Sequence, residues 1–127
     1  MNIFGIGTDI VSVERIKNSL KNKKFIGRIF NKKEILKCKK NNNSVNCFAK
    51  RFAAKEAFSK ALGTGISNGI NFNEIVVLNK KSGKPYISII GQTKKILKKK
   101  FKRKKSKISL SLSDEKKYAV AFVTISI

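Results

Sequence analysis

Apolar positions follow two rhythms along the chain, a period near two and a period near 3.6, and their alternation predicts the elements. "NIFGIGTDIV" is a β-prone run interrupted by Gly5 and Gly7, which let another backbone come close. Ser12 can cap a helix that begins at Val13, with Glu14 in its first turn matching the helix dipole. Asp9 then falls where strand gives way to helix. Asn31 and Glu34 have capping-box spacing and start a second helix; Asn41 to Ser44 is loop. A third helix runs over Val45 to Leu62, with Gly63 as its stop. Residues 71–79, 80–85 and 86–90 read as strand, turn and strand, the turn bounded by Gly83 and Pro85. Residues 91–105 form a helix with Ile96, Leu97 and Phe101 at helical spacing, and "KISLSLS" alternates strictly, with serines outward. After the charged turn "DEKK" comes a last strand, "YAVAFVTISI". The order β-α-α-α-β-β-α-β-β, with no repeat or linker, predicts one α+β domain over residues 1–127 with a mainly antiparallel sheet and packed helices.

The third helix is unusual in content. In "RFAAKEAFSKALGTGI" the residues Glu56, Ser59, Lys60 and Gly63 are three and four positions apart and share one stripe. Ala53, Ala54, Ala57, Phe58 and Ala61 lie on the other side, small enough for close packing. A helix that only fills a core has no need of a carboxylate, a hydroxyl and an ammonium together. Phe52 and Phe58 read as packing residues.

Charge changes the picture next. Thirty Lys and Arg against seven Asp and Glu give a formal charge of +23. Such a surface suits polyanions, and a nucleic-acid-binding module using "KKILKKKFKRKK", Lys94 to Lys105, is the alternative reading. Lysine far outnumbers arginine, however, and that run holds one Phe and one Arg, whereas nucleic-acid readers favour arginine forks and stacking aromatics. The excess therefore reads as compositional bias on an anion-friendly surface. No apolar run reaches the ~18 residues of a membrane span, and the first residues lack a signal-peptide layout, so a soluble cytoplasmic protein is expected. Cys38 and Cys47 form no CxxC pair and histidine is absent, which leaves too few ligands for zinc. Two reduced thiols are expected.

With so few acids, each carboxylate can be weighed. Glu14 and Glu34 have capping roles, Glu74 falls at a strand edge, and Asp114 and Glu115 lie in a turn. Asp9 and Glu56 remain. Two carboxylates meeting across a strand–helix contact suit Mg²⁺, a hard ion that takes oxygen ligands and shares them with a phosphate. Lys60 would neutralise phosphate charge, and the amides of Gly63 to Gly65 could approach it. An ordinary Glu56–Lys60 helix ion pair is the plain alternative, worth only ~0.3–0.5 kcal/mol.

"GIGTDIVSVERI", "FAKRFAAKEAFSKALGTGI", "SGKPYI" and "LSLSDEKKYAVAFV", in this order and spacing, resemble the holo-[acyl-carrier-protein] synthases, small phosphopantetheinyl transferases of bacterial fatty acid synthesis. The resemblance covers essentially the whole chain. It implies the 4′-phosphopantetheinyl transferase fold and transfer of 4′-phosphopantetheine from coenzyme A to a serine of apo-acyl carrier protein, releasing adenosine 3′,5′-bisphosphate. It implies that Asp9 and Glu56 hold Mg²⁺, that Lys60 contacts the coenzyme A pyrophosphate, and that Ser59, Gly63, Thr64 and Gly65 lie along the coenzyme. Arg51 and Lys55 match basic positions near the nucleotide. Arg15 matches a position that meets the carrier protein, and an acidic carrier would dock on a basic helix carrying Arg15, Lys17, Lys21, Lys23 and Lys24. Homotrimers with shared sites are implied too. Histidine, which several members carry near the end, is missing, and Ser109 and Asp114 stand in that region. For the base the order is Glu56, acting through a metal-bound water, and then Asp114. Tyr118 is expected in the core.

Overall fold

The computed structural model describes residues 1–63 and 69–127. Strand β1 (Ile3–Ser12) leads into α1 (Val13–Ser19), α2 (Lys23–Ile29), α3 (Lys32–Lys40) and the long α4 (Ser44–Leu62). One turn of 3-10 helix (Phe72–Glu74) precedes β2 (Ile75–Asn79) and β3 (Pro85–Ile89). Helix α5 (Gly91–Lys100) and the hairpin β4 (Lys107–Asp114) and β5 (Tyr118–Ser126) complete the chain. The strands form two antiparallel sheets, β1-β5-β4 and β2-β3, where the sequence suggests mainly one. This is the expected α+β architecture.

The caps behave as the sequence indicates. Ser12 Oγ accepts from Arg15 N, and Asn31 with Glu34 closes a capping box. Gly63 ends α4 with φ 80, a left-handed value that costs glycine nothing. Three elements differ from expectation, one of them α5, which stops at Lys100 rather than running to residue 105 because Lys102 and Arg103 take left-handed φ of 51° and 63°. Between Val13 and Phe30 the chain makes two short helices, because Asn22 caps a fresh start by accepting from Lys24 N and Phe25 N. Residues 71–74 are not strand: the Glu74 carboxylate accepts from Gln92 N and Thr93 N and caps α5, so it marks a helix start rather than a strand edge.

The inner face of the larger sheet packs on α4. Ala119, Ala121, Val123 and Ile125 of β5 are fully buried there, against Ala53, Ala54 and Ala57. β1 comes closest. A Cβ built on Gly5 would run into the Ala61 carbonyl, and one on Gly7 would overlap the Ala57 carbonyl and lie 2.8 Å from Ala61 N. Strand and helix therefore touch backbone to backbone.

α3 is fastened to the same helix by charge. Lys55 Nζ, fully buried, donates to Glu34 Oε1 at 2.8 Å and to the carbonyls of Phe72 at 2.8 Å and Ile75 at 2.5 Å. The other Glu34 oxygen accepts from Val77 N at 2.9 Å. All three ammonium protons are used. Burial pulls the Lys55 pKa down to about 8 against the opposing pull of Glu34. Cys38 and Cys47 are joined as a disulfide, not left as two thiols: the short loop after α3 brings its last turn beside the first turn of α4, with Cα atoms 5.3 Å apart. Tyr118 is not in the core; it is 46% exposed on the outer sheet face.

Three stability outcomes follow. Gly7→Ala should lose about 1–3 kcal/mol in urea melts by forcing β1 from α4. Gly27→Ala, inside α2 with nothing within 4 Å, should gain about 0.5–1 kcal/mol. Lys55→Met should cost about 3–5 kcal/mol by stranding the Glu34 charge, and adding Glu34→Gln should recover part of that loss.

Candidate active site

The contact between β1 and α4 decides what lies at its rim. Asp9 follows Gly7 by two residues, so it points to the same side of the strand, toward α4. Glu56 precedes Ala57, and Lys60 precedes Ala61, on the helix that Gly5 and Gly7 touch. Lys60 Nζ donates to the Thr8 carbonyl at 3.0 Å and to Asp9 Oδ1 at 3.3 Å. Its side chain is 57% exposed while that of Asp9 is 16% exposed, so the ammonium bridges the site to solvent.

Both carboxyls hold their protons more tightly than usual. For Asp9 the main cause is burial, opposed by Lys60 and Arg15. For Glu56 it is burial first and the Asp9 charge second, again opposed by Lys60 and Arg15. Two carboxylates that repel one another, with one exposed lysine between them and solvent, form a site short of positive charge. Oxygen donors of this kind fit Mg²⁺. Among the described residues no three His, Cys, Asp or Glu converge, so the chain would supply two ligands and the remaining oxygens would come from substrate and water.

The other expected site residues separate into three groups. Arg15 is near enough to act on both carboxyls, and it shares an exposed basic surface with Lys17, Lys21, Lys23 and Lys24. That surface spans α1 and α2 rather than one helix. Gly63 ends α4 one turn beyond Ser59 and Lys60, while Thr64 and Gly65 lie outside the described residues. Ser59 is in the right turn but buried, 3% exposed.

The third group is placed elsewhere. Lys55 has its ammonium inside the Glu34 pair and cannot face a nucleotide on this chain's surface. Arg51 is also buried; its guanidinium donates to the Cys47 carbonyl at 3.3 Å and to Asn79 Oδ1 at 2.8 Å. Asp114 accepts from Asn46 at 2.8 Å and pairs with Lys50 at 3.5 Å. Glu56 is six and ten residues further along that helix, roughly 9 and 15 Å at 1.5 Å per residue. Within one chain Asp114 therefore anchors the β4–β5 turn and is too far away to be the base.

Sequence reasoning missed the second role of Glu34. Its capping-box spacing explained it too soon, although a lysine inside an alanine-rich buried stretch signals a hidden partner.

The 4′-phosphopantetheinyl transferase superfamily model matches residues 5–123. The holo-[acyl-carrier-protein] synthase of Pelagibacter ubique is 53% identical over 125 residues, 98% of each chain. The crystal structure of holo-[acyl-carrier-protein] synthase from Neisseria meningitidis superposes with a TM-score of 0.86 at 40% identity, covering 98% of this chain and 99% of that one. A Bacillus anthracis holo-(acyl-carrier-protein) synthase in complex with CoA (3′,5′-ADP) matches with a TM-score of 0.79 at 36% identity, covering 98% and 97%. Likeness of this extent, over a chain whose strand–helix contact gathers Asp9, Glu56 and Lys60, makes it a member of the 4′-phosphopantetheinyl transferase superfamily, among its holo-[acyl-carrier-protein] synthases.

Proposed function

We propose that this chain transfers the 4′-phosphopantetheine group of coenzyme A to a serine of an acidic apo-acyl carrier protein, in the cytoplasm, using Mg²⁺ held by Asp9 and Glu56. The observation that carries the metal assignment is the charge imbalance at the β1–α4 rim: two mutually repelling, half-buried carboxyls beside one exposed lysine. The transferase reading also rests on the relatives' names and on the coenzyme A bound by the Bacillus anthracis protein.

Bound Mg²⁺ would withdraw charge from the pyrophosphate and make its phosphorus easier to attack. The chain's own residues do the rest. Lys60, exposed and already turned toward Asp9, reaches a phosphoryl oxygen and holds the charge that develops on the leaving group. The serine hydroxyl must lose its proton as its oxygen bonds to phosphorus. Glu56 takes that proton through one water. The bond from phosphorus to the adenosine bisphosphate oxygen breaks, and adenosine 3′,5′-bisphosphate leaves. Arg15 and the exposed lysines of α1 and α2 present a cationic face to the acidic carrier beside these groups, which speeds encounter and orients the serine.

The chain also assembles in this reading, as a homotrimer with shared sites. The outer face of the β1-β5-β4 sheet exposes Ile6, Ile10 and Phe122, at 61%, 65% and 45%. Register places Thr8 opposite Phe122 and Ile10 opposite Val120, so these side chains form one apolar patch. A contiguous patch of this kind marks a protein contact.

Mass spectrometry of an apo-acyl carrier protein incubated with this protein, coenzyme A and Mg²⁺ should show a phosphopantetheine-sized gain on one serine, absent with EDTA. Asp9→Ala and Glu56→Gln should each abolish it. In metal-free buffer Glu56→Gln should melt above the wild type, since it removes the repulsion. Mg²⁺ at a hundredfold excess over its Kd should stabilise only the wild type, by ~2.7 kcal/mol. Full activity in either variant would sink the assignment. Light scattering should find a trimer that Ile10→Glu with Phe122→Glu converts to monomer.

A further inference from the structure

A groove of about 860 Å³ runs between α5 and the inner faces of β3, β4 and β5, and no residue of the carboxylate site lines it. The volume is within the ~300–1,000 Å³ typical of small-molecule sites. Its floor is apolar: Phe58, Ile89, Leu97, Phe101, Ile108 and Ile125. Its rim is cationic, with seven Lys or Arg between Lys94 and Lys105 and no carboxylate among the described lining residues. The chain is folded to build this rim. Lys102 and Arg103 have left-handed φ of 51° and 63°, and Arg103 N donates to the Lys98 carbonyl at 2.9 Å. This turns the segment back, so Arg103, Lys104 and Lys105 fringe the groove.

Apolar floor and uncompensated cationic rim select a narrow ligand class. A nucleic acid or free phosphate satisfies the rim and leaves the half-buried Ile89 and Ile108 uncovered. A neutral hydrocarbon satisfies only the floor. We propose that the groove binds a long-chain fatty acid anion, with the alkyl chain along the half-buried Ile89 and Ile108 and the carboxylate among Lys98, Arg103 and Lys104. None of Asp9, Glu56 or Lys60 lines the groove, and the proposal does not depend on the transferase reading.

Calorimetry of the full chain with octanoate, decanoate and laurate, below micelle-forming concentrations, tests this. Binding should be saturable at one per chain and strengthen about fourfold per methylene, corresponding to ~0.8 kcal/mol per buried CH₂. The surface variant Lys98→Glu/Lys104→Glu should weaken laurate roughly tenfold, as loss of a charge-assisted contact does. Ile108→Trp, which fills the groove, should abolish binding; circular dichroism checks its fold, and the surface variant decides alone if it unfolds. Laurate no tighter than octanoate, equal binding of dodecyltrimethylammonium, or indifference to the charge reversal overturns the proposal. So does a short DNA duplex bound at ~0.15 M salt and released by the same reversal while laurate stays silent, which would assign the run to nucleic acid.

Discussion

Backbone contact between β1 and α4 is the constraint on which the rest of the molecule depends. Without a Cβ at Gly5 and Gly7, the strand lies directly on the Ala57 and Ala61 turns of the helix. No side chain fits in that gap, so Asp9 is held within reach of Lys60 and close enough to Glu56 for their charges to interact. The same contact seats the larger sheet on the alanine face of α4. Core and site thus share one cause, and the site inherits the rigidity of the core.

Around that contact the molecule spends its few acids with purpose. Glu34 and Lys55 bind α3, α4, the 3-10 turn and β2 through one buried hub. Glu74 caps α5, and Asp114 ties the β4–β5 turn to Asn46 and Lys50. Each of these carboxylates has several hydrogen-bond or ion partners. Asp9 and Glu56 differ: burial raises the proton affinity of both, the Asp9 charge adds to it at Glu56, and Lys60 offsets only part of it.

The cations are divided as well. Arg51 and Lys55 are framework, consumed by partners inside the fold. Those of α1 and α2 are exposed, Arg15 near enough to act on both carboxyls, and an acidic partner would be steered to them. Those after Lys94 fringe a groove on another face. Net charge alone could not separate these roles, because it counts a buried framework lysine and an exposed docking lysine alike.

Local rules made much of this molecule legible. Cap residues determined where α1 and α3 begin and where α4 stops, and periodicity the start of α4 to within one residue and the α+β class. The motif around Asp9 and the Glu56–Lys60 stripe are likewise local patterns, and the fold brings Asp9 and Lys60 into contact. These features depend on residues within a few positions of one another. What tertiary structure decided depends on partners far apart in sequence. The inward turn of Lys55 needs Glu34 and two carbonyls from beyond residue 71. Asp114 is separated from the site only by the ladder that sets it against Asn46, and Cys38 meets Cys47 only because α3 folds back on α4. Tyr118 faces solvent because strand pairing, not its own hydrophobicity, chose its side of the sheet. A chain's pattern names which groups could act; packing alone determines which of them meet.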